Sequence, residues 1–162
     1  MDVRAPTDVT LAPLEGEPRS LDAWLTTFNL VVVVLDPYTY ESSWLLQTAR
    51  RILREFEGAD CRVAWLVCAG PDDAEQFLGP LAQESLTFAD PDRTLARALG
   101  LERLPAFVHI DQGGNVVGAA EGWDPDEWRT VAEQLADAMS WSRPQIPTAD
   151  DPVPYEGSPA IP

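Results

Sequence analysis

The 162-residue sequence predicts an α/β protein, a three-layer α/β/α sandwich around a mixed central sheet. Three observations carry the prediction. Two aliphatic runs without polar alternation, Leu30–Leu35 and Arg62–Val67, read as central strands buried on both faces. Helix-periodic segments alternate with them. Near the end, Ala106–Ile110 and Val116–Ala119 flank the glycine-bearing turn Asp111-Gln112-Gly113-Gly114-Asn115, a hairpin followed by one last helix.

Taken in order, residues 1–29 read as a lead or short hairpin packing on the domain, with alternation at Val9-Thr10-Leu11 and one helical turn at Leu21–Leu25. After the first buried strand, Asp36-Pro37 stops the run. A helix is predicted from Ser42 to Phe56, because Leu45, Leu46, Ala49, Ile52, Leu53 and Phe56 share one face, with Ser42 or Ser43 as its cap. Gly70-Pro71 suits a helix start, and that helix runs to about Ala82 with a break at Gly79-Pro80. Leu86-Thr87-Phe88 is a short extended piece. Asp90-Pro91 opens a helix that Gly100 closes, and Asp124-Pro125 opens the last one, from Pro125 to Met139. The domain thus spans 30–141. Residues 142–162 read as a flexible, extended, acidic tail, since six of the fifteen prolines fall after Arg143 and apolar periodicity ends there.

Composition excludes several function classes. All eleven basic residues are Arg, facing 27 Asp and Glu, for a formal net charge of −16. Without Lys there is no Schiff-base chemistry and no phosphate-binding P-loop. One histidine, His109, and two cysteines, Cys61 and Cys68, rule out a multi-histidine site or a four-cysteine zinc site, and no spacing matches a calcium loop. Neither a metal nor another cofactor is expected. The acidity opposes nucleic acid and anionic membranes. No apolar stretch is long enough to span a bilayer, and Met1-Asp2-Val3-Arg4 leads into no apolar segment of the leader type, so a cytoplasmic protein is expected. The Lys-free, Ala- and Pro-rich composition resembles that of proteins from GC-rich actinobacteria, although a halophile shares the acidity.

The order of elements, with Leu104-Pro105 just before the strand Ala106–Ile110, resembles the thioredoxin-like superfamily. Gly16-Glu17-Pro18-Arg19-Ser20-Leu21 is similar to the lead into the first buried strand in TlpA- and ResA-type proteins and peroxiredoxins. So is the stretch from Ala89-Asp90-Pro91-Asp92 through Leu99-Gly100-Leu101 to Leu104-Pro105 and Gly113-Gly114. The likeness covers roughly residues 14–140, and it implies a cis bond at Leu104-Pro105. It also implies a Cys-x-x-Cys where Tyr40-Glu41-Ser42-Ser43 stand here. Neither cysteine is present, Val34 occupies the place of the buried proton-transferring acid, and Trp44 stands seven residues after Pro37, where a peroxidatic cysteine belongs.

The remaining candidates each carry two readings. Cys61 and Cys68 lie about 23 Å apart along one strand, which forbids pairing. Cys68, at the strand end, is either a reactive thiol or a small buried apolar residue. Ser42 and Ser43 either hold an anion or thiolate, as the Tyr or Ser of glutathione transferases does on this fold, or cap a helix. Trp123 and Trp128 either staple the last helix to the sheet or present Trp123 to a partner. Val153-Pro154-Tyr155 suits docking on a partner as well as a passive tail.

The resemblance with its chemistry deleted implies a redox-inactive protein that binds another protein, as an adaptor, an accessory subunit or a maturation chaperone. HyaE-type hydrogenase chaperones share that general pattern. The expected contact surface comprises Tyr38, Tyr40 and Trp44 with Leu104 and Pro105, joined by Trp123 and Tyr155, and faces a basic patch on the partner. The alternative is a thiol-dependent oxidoreductase or transferase using Cys68 or Ser42 and Ser43.

Overall fold

The computed structural model describes residues 3–162; Met1 and Asp2, the start of the stretch read for a leader, lie outside the described residues. The two aliphatic runs form β4 (Asn29–Leu35) and β5 (Cys61–Val67), paired in parallel with Leu30 opposite Arg62. On the far side of β4 lies antiparallel β8 (Ala106–Ile110), followed by β9 (Asn115–Glu121). β6 (Leu86–Ala89) continues the parallel part beside β5. Both sheet edges come from the lead. β1 (Val3–Arg4) pairs with β9, while β2 (Thr10–Pro13) pairs with β6 and with β3 (Arg19–Ser20). The mixed sheet therefore has eight strands in the order β1-β9-β8-β4-β5-β6-β2-β3.

Side chains alternate across this sheet into two cores. Val31, Val33, Leu35, Val63, Trp65 and Val67 face one side, against α3 (Leu46–Glu55) and α7 (Pro125–Met139). Leu30, Val32, Val34, Ala64 and Leu66 face the other, against α1 (Leu21–Trp24) and α6 (Thr94–Leu99). A strand that is apolar at nearly every position needs both layers, which is why the runs lack polar alternation. α7 begins where Asp124 accepts from the Asp126 and Glu127 amides at 3.1 and 3.4 Å. The expected helix break at Gly79-Pro80 separates α4 (Pro71–Leu78) from α5 (Leu81–Glu84).

Three local features depart from the sequence reading. The helix expected over 42–56 starts earlier and is divided at Leu45, giving α2 (Tyr40–Trp44) before α3. Neither serine caps it, because Thr39 takes the capping position and bonds Ser42 Oγ at 2.8 Å, while Ser43 Oγ donates to the Tyr40 carbonyl at 2.7 Å. Residues 142–162 run along the domain instead of forming a flexible tail. They are fastened at Asp151, which accepts from Thr48 Oγ1 at 2.7 Å and pairs with Arg51 at 2.8 Å, and at Ile146, which is buried against the first core. Further on, β10 (Ser158–Pro159) pairs antiparallel with β7 (Arg103–Leu104).

Candidate functional site

The edge where β4 ends and α2 begins carries the residues singled out by the sequence. Asp36 closes β4 and is nearly buried. Its Oδ1 accepts from the Tyr38 amide at 2.9 Å and its Oδ2 from Arg93 at 2.9 Å. Past this anchor the chain turns outward, leaving Tyr38 66%, Tyr40 86% and Trp44 58% exposed. The Tyr38 hydroxyl donates to Asp73 at 2.8 Å, and that bond raises its pKa. Glu41 and Ser43 are exposed beside the rings, whereas Ser42 is buried. Tyr40, Glu41, Ser42 and Ser43 thus supply no thiol, and both serine hydroxyls are committed to local bonds.

The other site candidates are covered. Leu104 and Pro105 are buried, with the Leu104-Pro105 bond cis, and Ser158 lies opposite Leu104 in the β7–β10 pair. Trp123 is fully buried, edge-on to Trp128 at 5.2 Å, and its Nε1 donates to the Pro152 carbonyl at 2.8 Å. It therefore cannot offer its ring to a partner, and the stapling reading is the one its position fits. Tyr155 is half-buried and turned inward. Its ring stands edge-on to Trp44 at 6.2 Å, and its hydroxyl donates to the Glu41 carbonyl at 2.8 Å. Burial pushes that hydroxyl well above its ordinary pKa. A cleft of about 720 Å³ opens beside it, between Pro154 and Tyr155 on one wall and Asp124, Pro125 and Glu127 on the other.

Neither cysteine is poised for chemistry. Cys61 lies in the first core and Cys68 in the second, so the sheet separates them. Burial pushes the Cys61 thiol up to about 11. It pushes Cys68 up to about 12, with Arg93 opposing and Asp90 and Asp36 reinforcing the rise. A nucleophilic thiol needs the opposite shift. His109 is buried at mid-strand, with Nε2 2.8 Å from Asn29 Oδ1. Among the described residues no group of three or more His, Cys, Asp or Glu side chains could hold a metal ion, and no helix is long and apolar enough to cross a membrane.

Asp36, Asp90 and Arg93 form a supporting layer that the sequence did not announce. Asp90, nearly buried, accepts from the Thr94 and Leu95 amides at 2.9 and 3.0 Å and so caps α6 from four residues away. This leaves Arg93 in left-handed backbone (φ 55°), with its guanidinium directed at Asp36. The Asp-Pro start at Asp90 was a visible signal for the cap; the Arg93 pairing had none.

No protein-family model and no curated protein matches the chain. Solved structures do. Mycobacterium tuberculosis DsbF superposes with a TM-score of 0.63 at 13% identity, covering 83% of this chain and 94% of that one. The exposed lipoprotein thioredoxin of Streptococcus pneumoniae gives 0.61 at 19%, covering 79% and 99%. A hypothetical protein of Sinorhizobium meliloti gives 0.67 at 12%, covering 98% and 93%. The fold is therefore thioredoxin-like, with the curled mixed sheet and flanking helices of the disulfide oxidoreductase structures. At these identities the likeness speaks for the fold alone. One of the three is described as exposed, so the comparison lends no support to a cytoplasmic location.

Proposed function

We propose that the chain is a redox-inactive thioredoxin-fold protein that works by binding another protein through Tyr38, Tyr40 and Trp44. The observation that carries this reading is the exposure of three aromatic rings at the one edge where the fold would otherwise place its thiols. Large exposed rings have a solvation cost that a partner removes, and Tyr and Trp are the residues most often central to binding energy. Exposed Glu41 and the Tyr38-bound Asp73 border the rings, and the chain carries −16 overall. The fitting partner surface is apolar with Arg or Lys at its rim. A cytoplasmic location belongs to the same proposal, in keeping with a chain that carries two cysteines and no disulfide framework.

The experiment is purification of the full chain from its own cells beside the Tyr40→Ala/Trp44→Ala double variant. A stoichiometric companion retained by the first, lost by the second and released by raised salt supports the reading. Equal recovery in both contradicts it.

Thiol-disulfide exchange is the second reading, favoured by the oxidoreductase descriptions of other structural neighbours. It would have to use Cys68, whose thiol is buried and pushed the wrong way. Reduction of insulin disulfides with dithiothreitol supplied as the reductant that resolves the mixed disulfide at Cys68, speeded by the full chain and not by Cys68→Ser, would establish it.

A further inference from the structure

The segment from Tyr155 to Ala160 runs antiparallel to the chain on either side of the cis-proline loop, as one bridge to Trp123 and a two-stranded ladder of β10 with β7 that stands apart from the eight-stranded sheet. Tyr155 and Trp123 exchange both backbone hydrogen bonds, at 2.9 and 3.1 Å, and the Ala160 amide donates to the Glu102 carbonyl at 2.9 Å. Between these points the two chains cross so closely that side chains are excluded. A Cβ on Gly157 (φ 91°) would overlap the Leu104 carbonyl, and one on Gly122 (φ 69°) would overlap the Glu156 carbonyl. The ring of Tyr155 lies against Trp44, and Ala160 is fully buried with its carbonyl held by Arg93 at 2.7 Å. Pro152, Pro154, Pro159 and Pro162 keep the segment extended before it docks, so little chain entropy is lost on seating. Its apolar grip is nevertheless small. Val153, Pro154 and Pro159 point outward, leaving Tyr155, Ala160 and part of Ile161 to hold it, and a segment so lightly packed opens more readily than the sheet beneath.

We propose that the edge formed by residues 102–104 and 122–123 is a strand-addition groove for an extended segment of another protein, and that residues 153–161 are its tethered competitor. The incoming segment needs an aromatic ring, a glycine two residues later where the backbones cross, and a small residue three beyond that, preceded by a proline. This goes beyond the aromatic face proposed above and meets it only at Trp44, while the test below reads main-chain pairing at Gly157, which the exposed rings do not affect. While the tail is seated, the groove's apparent affinity is lowered by the fraction of molecules that are open.

The test uses the full chain, two variants that unseat the tail, Gly157→Val and Ala160→Glu, and a fluorescein-labelled peptide of residues 150–162. Chymotrypsin cleavage after Tyr155 reports release. In the wild type Tyr155 resists cleavage and the peptide binds at least about tenfold more weakly than to a released variant. A peptide with Val in place of Gly157 binds neither. If one variant fails to fold, as judged by circular dichroism, the other is read alone. Release without a gain in peptide affinity, a tail that stays protected in the variants, or equal binding of the Val peptide would overturn the proposal.

Discussion

Arg93 Nη2 lies 2.9 Å from Asp36 Oδ2, with both side chains about nine-tenths buried. The pair joins the end of β4 to the approach to α6, and through the Ala160 carbonyl it also holds the last turn of the tail. Removing one member leaves a buried charge without its partner. Arg93→Met is therefore expected to cost about 3–5 kcal/mol, measured by urea unfolding. The double variant Arg93→Met/Asp36→Asn removes the stranded charge and keeps an acceptor for the Tyr38 amide, and most of the loss is recovered. Additive losses in the two single variants would contradict this account.

Both thiols are pushed up by burial, Cys61 to about 11 and Cys68 to about 12. A thiol in an unfolded chain titrates near 8.5. Iodoacetamide at pH 8 accordingly leaves both unmodified in the folded chain and alkylates both in guanidinium, read by mass. The raised values favour the protonated form of the folded state, so their contribution to stability is complete below about pH 8.5 and declines as pH rises toward the folded values.

Burial lowers the His109 pKa, and nearby Asp111 only partly offsets it. Asn29 is the remaining polar contact, and Nδ1 has no partner. The folded state therefore favours the neutral ring. Its contribution is present above about pH 6.5, the value for an unfolded chain, and is lost as pH falls through the lower folded value. His109→Gln flattens the stability curve over that range, measured by thermal melts across pH. An unchanged slope would remove His109 as its source.

Trp128 is fully buried, stacked on Phe107 at 5.1 Å, and its Nε1 donates to the Gly122 carbonyl at 2.8 Å. Trp128→Ala is expected to cost about 3–5 kcal/mol. Trp44, 58% exposed, belongs to the other class, and Trp44→Ala changes stability by less than about 1 kcal/mol. The contrast is what frees Trp44 for contact with a partner, and denaturant midpoints of the two variants check it.

Much of the architecture was legible because it is local. The run Leu30–Leu35 and the Asp124-Pro125 start each mark an element within a few residues, and α7 spans Pro125–Met139 as its periodicity predicts. What stayed hidden rests on pairs far apart in sequence. The Tyr155 hydroxyl and Glu41 are 114 residues apart, Thr48 and Asp151 are 103 apart, and Arg93 and Asp36 are 57 apart. No local pattern records them, so proline content alone suggested a free tail. The two-residue strands of the lead are likewise too short to show alternation. At the site, the missing cysteines were plain in the sequence, and the exposure of Tyr40 and Trp44 was not separable from the burial of Trp123 by residue type.

The most direct measurement is photo-crosslinking from position 40. The full chain carrying a benzophenone amino acid in place of Tyr40, expressed in its own cells, is expected to yield one discrete crosslinked species that Trp44→Ala removes and that the same probe at Phe28 does not give. A probe at position 40 that yields nothing beyond the pattern from Phe28 would contradict the account of this edge as a binding face.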